Sequence, residues 1–390
     1  MTENMKINVG VIFGGRSTEH EVSIISAHQA IAALDTGKYR VIPLYITKDG
    51  HWYSGDNLLK LSNFRNMKQL LAEAVPVELS VNFGSKEVFV RNSGGLFKKA
   101  WQERIDVAFP VVHGTNVEDG SLQGMLEMTG IPYVGPAVLA SAVGMDKIMM
   151  KAVLKEAGLP VVEYRAFADH QWQDEPEKVL AACEEIPYPL IVKPSNLGSS
   201  IGITKVENRE ELEDAVELAF SFSQRVLVER AVCPLREINC AVLGAPGDAT
   251  ASACEEPLNA KEILSFSDKY LADSSSKGMG GAKRRLLAED DPLCIKVKEL
   301  AVKAFEAMDC RGVCRVDFLV DDAANAVYVN ELNTIPGSLS FYLMEPAGID
   351  FTALTDRLIR LALDKARQQA KLTTVYESNI LAQGGFKGKK

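Results

Sequence analysis

The sequence predicts an α/β protein. A doubly wound parallel-sheet domain opens the chain, and a strand-rich module of mixed helices and strands follows it. Three stretches carry this reading. Residues 7–13, INVGVIF, form a buried-strand run that ends at Gly14-Gly15 and leads into a helix. DVAFPVV, ending at Val112, is a second such run. Residues 315–337, RVDFLVDDAANAVYVNELNTIPG, read as two strands joined by an acidic, alanine-rich turn.

The 390 residues suffice for two or three domains at about 100–200 residues each. Hydrophobic residues make up 47% and charged residues 24%, the balance of an ordinary globular protein. A net charge of −9 argues against nucleic acid as the main partner. No apolar run approaches the roughly 18 residues of a membrane span. The opening MTENMKINVG has no signal-peptide pattern, and the seven cysteines lack metal-ligand spacing. Cys310 and Cys314 read as buried reduced thiols. Together these features imply the cytoplasm.

After the first strand, Thr18 and Glu21 stand at capping-box spacing. Ile24, Ala27, Ile31 and Leu34 then form one apolar helical stripe. A helix start in this place suits an anionic group. GxGxxG is absent, and Lys48 stands where a dinucleotide fold would close its second strand, VIPLYI, with an acid. A nicotinamide cofactor is therefore disfavoured. Residues 51–100 carry no regular pattern. The strand ending at Val112 runs into His113-Gly114 and the polar loop TNVEDG, where α/β proteins place their sites. His113 reads either as a site residue or as a satisfied loop histidine. Gly135-Pro136 closes the first domain.

A helix is expected over about 138–157, with Asp146-Lys147 inside it. LIVKPSNLGSSIGI (190–203) reads as strand, Lys193-Pro194, a loop rich in Gly and Ser, and strand again. The loop's N–H groups and hydroxyls can cradle phosphates beside the lysine, although the Walker pattern is absent. VLVER (226–230) is a further strand. Its end can meet an adenine at Glu229, and Glu237 can reach a ribose; both also read as solvated carboxylates. The polar run SFSDKYLADSSSKGMGGAKRR (265–285) suits a surface lid. A helix over 291–308, the hairpin, a helix over about 351–370 and a tail without structure, 376–390, complete the chain.

In the hairpin, side chains repeat every second residue. Arg315 and Asp317 share one face, and Val329, Glu331 and Asn333 share one face on the return. A turn centred near Ala324 sets Asp317 opposite Glu331 and Arg315 opposite Asn333. Like charges directly opposite each other destabilise a hairpin, and a cation between them removes that cost. Two carboxylates and an amide oxygen suit Mg²⁺, which is usually shared with substrate phosphates and so implies a nucleotide. The alternative is a hairpin with one wet acidic face.

Eight motifs occur in order: GGRSTEHEVS (14–23), HGTNVEDGSLQG (113–124), VGMDK (143–147), VKPSNLGSSIG (192–202), VER (228–230), SDKY (267–270), RVDF (315–318) and NELNTIPG (330–337). Together they resemble the ATP-grasp enzymes, and among them the D-alanine–D-alanine ligase family, over about residues 5–370. The resemblance implies an N-terminal α/β domain (1–136) and a two-lobed ATP-grasp module. Its central lobe is 137–232 and its C-terminal lobe, with the lid, is 233–375. It implies that ATP phosphorylates the carboxylate of a first D-alanine. The amine of a second D-amino acid then attacks the acyl phosphate, giving a dipeptide for peptidoglycan synthesis.

By resemblance, Glu19 binds the first ammonium group, with Val22 and His113 beside it. Arg315 and the N–H of Gly337 stabilise the oxyanion. Ser199 and Tyr270, with Glu19, tie the lid shut. Lys147, Lys193, Ser200, Glu229, Arg230, Ala231, Glu237 and Lys269 fall at nucleotide positions. Asp317, Glu331 and Asn333 hold Mg²⁺, as two ions that Mn²⁺ can replace. A homodimer is implied as well.

The second subsite falls at Ser338, Tyr342 and Leu343, with Ser340 nearby. Common members carry Ser–Leu or Ser–Met where this chain has Tyr342-Leu343. Relatives that make a D-lactate ester have a lid histidine, and here no histidine follows residue 170. An amide product is expected, D-alanyl-D-alanine first and D-alanyl-D-serine as the alternative. Two rivals remain: a carboxylate–amine ligase for other substrates, and a nucleotide-responsive binder without turnover. STEHEVS with HGTNVEDG argues against the first, and the presence of Arg315, Asp317, Glu331 and Asn333 against the second.

Overall fold

The computed structural model describes residues 6–90, 102–258 and 284–378. Lys269, Tyr270 and most of the expected lid lie outside the described residues, as does the tail beyond residue 378. Three sheets organise the rest. The first contains β1 (Ile7–Gly14), β2 (Tyr39–Ile46), β3 (Trp52–Ser54), β4 (Val75–Leu79), β5 (Glu87–Val90), β6 (Gln102–Arg104) and β7 (Val107–Pro110), in the order β6-β5-β4-β3-β2-β1-β7. β1 pairs in parallel with both β2 and β7, as the apolar runs predict. β3 to β6 extend the sheet antiparallel through the region that had no pattern.

The helices α1 (His20–Ala33), α2 (Met67–Glu73) and α3 (Ser121–Thr129) accompany this sheet. The expected capping box at Thr18 and Glu21 does not form. α1 starts at His20, with Glu19 at its N-cap and no side-chain cap. Ser17 does the local work instead: its hydroxyl accepts from the Glu19 N–H at 2.9 Å and donates to the His113 carbonyl at 2.6 Å. Glu21 forms an ion pair with Lys48, which accounts for a lysine at the end of β2.

The expected helix over 138–157 is two helices, α4 (Val138–Met145) and α5 (Lys147–Glu156). Asp146 breaks it by turning its carboxylate onto the N–H groups of Ile148 and Met149 at 3.1 and 3.0 Å. This N-cap directs Lys147 out of the helix start. α4 and α5 bury Ala140, Met150 and Leu154 in the core of the third sheet, although they fall within 137–232.

The second sheet has β8 (Tyr164–Ala168), β9 (Leu190–Pro194), β10 (Thr204–Val206) and β11 (Arg225–Arg230), in the order β10-β9-β11-β8. α6 (Asp169–Asp174), α7 (Pro176–Glu184) and α8 (Arg209–Phe220) cover one face and enclose a separate core. The loop 195–203 returns to a strand, as read. The third sheet has β12 (Glu237–Ala245), β13 (Asp248–Pro257), β14 (Arg284–Leu286), β15 (Gly312–Asp321) and β16 (Ala326–Asn333), in the order β14-β13-β12-β15-β16. α9 (Pro292–Ala307) packs on it, and α10 (Phe341–Met344) and α11 (Phe351–Gln369) follow. Ala241, Leu243 and Val313 of this sheet share one core with β1 and α1, so the first and third sheets are joined by apolar packing.

The hairpin β15–β16 has the predicted register: Arg315 faces Asn333, and Asp317 faces Glu331. Beyond that pair it departs. A bulge lies between Asp317 and Phe318, so Phe318 pairs with Val329 and Asn330 is the extra residue. Val329 therefore turns into the core rather than sharing the face of Glu331 and Asn333, and Asn330 and Glu331 both line the cleft. All seven cysteines are free, and Cys310 and Cys314 are buried as expected. Among the described residues, no helix is long and apolar enough to cross a membrane.

Candidate active site

The second and third sheets face each other across a cavity of about 1120 Å³. Its walls take in Glu19 and His113 from the first domain and Gly337 from beyond β16. One row of side chains crosses the third sheet in register: Glu255 on β13, Asn239 on β12, Asp317 on β15 and Glu331 on β16. Each carboxylate of the hairpin has its own cation. Arg315 donates to Asp317 from Nε at 2.6 Å and from Nη2 at 2.7 Å, and Asn333 adds a bond at 2.9 Å. Lys147 lies 3.5 Å from Glu331 and donates to the Leu197 carbonyl at 2.6 Å. The facing acids are thus balanced within the protein itself.

Lys193 pairs with Glu229 and donates to the bulge residue Asn330 at 3.2 Å. Lys151 meets the same Glu229 carboxylate at 2.9 Å from the other side. Burial by itself would raise the Glu229 pKa, but the two ammonium groups outweigh it and hold it down to about 2. The Glu229 carboxylate is therefore a counter-ion for two lysines. Beyond it, Ile191, Val232, Leu235, Leu319 and Leu332 give the cavity an apolar slot, the kind of surface that takes a flat ring. Arg230, Ala231, Glu237 and Ser200 line the same region. Arg230 is tied to Asp321 at 3.1 Å and stacks 5.5 Å over Tyr328.

At the opposite end, Ser199 donates to Glu19. Two close approaches fix that carboxylate. A Cβ on Gly198 would come within 2.8 Å of Glu19 Oε2, and one on Gly114 within 2.9 Å of the same atom. Gly114 also has φ +83°, a conformation that costs other residues strain. His113 is buried, and burial, reinforced by Arg315, pushes its pKa down to about 4, so the ring is neutral near pH 7. Its Nε2 lies 3.2 Å from Ser26 Oγ, which accepts from the Ser338 N–H at 3.0 Å. Ser338, Leu339 and Ser340 follow one another at φ 53°, 53° and 50°. Such strained residues concentrate at functional sites, and this turn presents Gly337 to the cavity. Val22, Ser338, Tyr342 and Leu343 are buried and do not line it.

The set Asp317, Glu331 and Asn333 offers hard oxygen donors on one face. Among the described residues, no group of three or more His, Cys, Asp or Glu side chains forms a metal centre. Two carboxylates beside an amide match an ion shared with phosphates rather than a closed protein cage.

Family models for the D-ala D-ala ligase N-terminus and C-terminus match residues 8–136 and 153–360. The chain belongs to the D-alanine–D-alanine ligase family. The D-alanine–D-alanine ligase of Chloroherpeton thalassium is 40% identical over 92% of this chain and 97% of its own. That of Thermosipho melanesiensis is 38% identical over 96% and 98%. Among solved structures, the D-alanine–D-alanine ligase from Coxiella burnetii superposes with a TM-score of 0.76 at 32% identity, covering 94% of this chain and 96% of that one. The VanG D-Ala:D-Ser ligase from Enterococcus faecalis gives 0.74 at 32%, covering 92% and 100%.

Several residues of this family member escaped the sequence reading. Lys151 stands four residues after Lys147, one helical turn on, and that spacing was its signal. Asn330 had none, because a bulge is not legible from alternation. Glu118 sits inside HGTNVEDG. It accepts from the Gly114 N–H at 3.0 Å, the Ile335 N–H at 2.9 Å and the Thr334 hydroxyl at 3.2 Å, stitching the His113 loop to the Gly337 loop. Burial, and then the charge of Glu19, raise its pKa to about 7. A raised carboxylate favours folding fully below its ordinary 4.5, and that contribution is lost as pH rises through 7. Glu118→Gln should therefore flatten the loss of thermal stability between those two values; an unchanged slope would refute the assignment.

Proposed function

We propose that this chain is an ATP-dependent D-alanine–D-alanine ligase. It joins two D-alanines through a D-alanyl phosphate, with release of ADP and phosphate. The observation that carries the reading is a single cavity with a nucleotide end and an amino-acid end. Lys147, Lys193 and an apolar slot stand at one end, and Glu19, His113, Arg315 and Gly337 at the other.

Glu19, locked between two glycines, takes the ammonium group of the first substrate and aims its carboxylate at the phosphates. Ser199 sets the Glu19 rotamer. Lys147 and Lys193, each aimed by a carboxylate, neutralise the transferring phosphoryl group. Neutral His113 holds Ser26, and Ser26 holds the strained turn, so the Gly337 N–H is fixed in advance. Arg315 supplies the charged donor at the same end. Asp317, Glu331 and Asn333 would hold Mg²⁺, with Mn²⁺ as a substitute; the ion supplies charge neutralisation between the phosphates. Lys269 is assigned to the nucleotide, and Tyr270, with Ser199 and Glu19, to lid closure. Seven unpaired cysteines and the use of ATP suit the cytoplasm, where the dipeptide would serve cell-wall synthesis. The division at 1–136, 137–232 and 233–375, and a homodimer, complete the proposal. D-serine is not favoured as acceptor, since relatives at 38–40% identity are D-alanine–D-alanine ligases.

The test is ATP-dependent phosphate release with D-alanine alone, with the product identified by mass. Absence of dipeptide would sink the reading. For the metal set, Glu331→Gln should raise the Mg²⁺ concentration at half-maximal rate by roughly 10–100-fold. A superimposable Mg²⁺ titration would remove Glu331 from the site.

A further inference from the structure

We infer that Arg284, rather than Tyr342, binds the carboxylate of the acceptor amino acid, an inference that rests on the ligase reading. The reaction consumes the donor's carboxylate. The acceptor reacts through its amine and keeps its own carboxylate to the end. An acceptor therefore brings a full negative charge into the cavity and leaves it there in the product. A partly buried anion of this shape needs a planar, bidentate cation.

The amino-acid end of the cavity has two guanidinium groups. Arg315 is forked onto Asp317. Arg284 is the second, and it lines the cavity. Its guanidinium lies 4.2 Å over the ring of Tyr342, and its Nη1 is 3.3 Å from the buried Glu255 carboxylate. A ring beneath and a carboxylate at one edge fix the plane of the group. Tyr342 is itself buried and does not line the cavity. At the second subsite, the surface offered to a substrate is thus the guanidinium stacked on the tyrosine. This also gives a use for a bulky aromatic where other members carry serine. The serine hydroxyl is replaced by a platform, and the platform carries an arginine. Strand pairing delivers that arginine, since Arg284 on β14 faces Pro257 on β13. Glu255 and Tyr342 are positioning residues, and Arg284 is the binding one.

The experiment uses the full chain with ATP, Mg²⁺, D-alanine and an equal concentration of D-alaninamide. The amide has no free carboxylate, so it can serve only as acceptor. Mass spectrometry reads D-Ala-D-Ala against D-Ala-D-Ala-amide within one tube. Because the ratio is internal, it does not depend on how much enzyme is folded. Wild type should favour the acid, and Arg284→Met should lower the acid-to-amide ratio by at least about tenfold. Arg284→Lys, which keeps charge and loses the fork, should fall between them. A ratio unchanged in Arg284→Met, or both products falling in proportion, would overturn the inference. Wild type that makes neither product would overturn the ligase reading beneath it, and that failure is distinct because it appears before any substitution.

Discussion

Arg315→Met should lower kcat for phosphate release by about 10²–10³-fold and leave the KM for ATP nearly unchanged. The guanidinium sits at the Gly337 end of the cavity, away from the apolar slot. Its Nε and Nη2 are held by Asp317, and Asn333 braces the same carboxylate from the facing strand. The group is thus aimed before substrate arrives, and a donor aimed in advance needs no reorganisation when charge develops. Methionine keeps the stem's packing and removes the donor, together with the cation that balances Asp317. Arg315→Lys restores a charge without the fork, so it should recover part of the rate. Steady-state kinetics with ATP and D-alanine varied separately would decide. A fall below about tenfold, or a loss confined to KM for ATP, would move Arg315 out of the oxyanion role and into ground-state binding.

Arg315 and Asp317 also show how far the chain can be read by eye. Their face, their partners Glu331 and Asn333 and the register between the strands follow from two-residue alternation and an assumed turn. Alternation fails at the bulge, where one inserted residue sends Val329 inward and brings Asn330 to the cavity. No composition signal marks that insertion. The break between α4 and α5 is different. Asp146 before Lys147 is a legible N-cap signal, but the continuous apolar pattern around it reads as one helix. Glu118, Arg284 and Glu255 matter through contacts across long sequence separations. Such contacts arise from the packing of sheets, so a local window cannot show them. The N-cap at Glu19 departs from the sequence expectation: the Thr18/Glu21 spacing suits a box, yet Glu21 pairs with Lys48, the Glu19 N–H bonds the Ser17 hydroxyl, and Gly114 and Gly198 close on the Glu19 carboxylate.

The buried charges beside Lys193 make the second large prediction. Glu229→Gln should destabilise the protein by about 3–5 kcal/mol. The Lys151–Glu229 pair is 1% exposed on both sides, so water cannot replace the lost charge. Neutralising the acid leaves two ammonium groups facing each other in low dielectric, which is worse than having none. Lys151 is already held below its ordinary pKa, by burial above all. Removing Glu229 takes away the main opposing attraction, so Lys151 should lose its proton first. The sign with pH follows. Glu229 is depressed from 4.5 to about 2. Its contribution is therefore complete above 4.5 and disappears as pH falls towards 2. Wild type should lose thermal stability across that window, and Glu229→Gln should lose less. Adding Lys151→Met to Glu229→Gln should recover about 1–3 kcal/mol, because an apolar side chain replaces a buried amine left without its partner. Thermal midpoints of wild type, Glu229→Gln, Lys151→Met and the double variant at pH 7 and pH 3 test the argument. Additive effects of the two substitutions would mean that Lys151 and Glu229 are not energetically coupled. A recovered midpoint with a raised KM for ATP would separate the roles: Lys151 balances the charge, while Glu229 keeps Lys193 aimed at the phosphates.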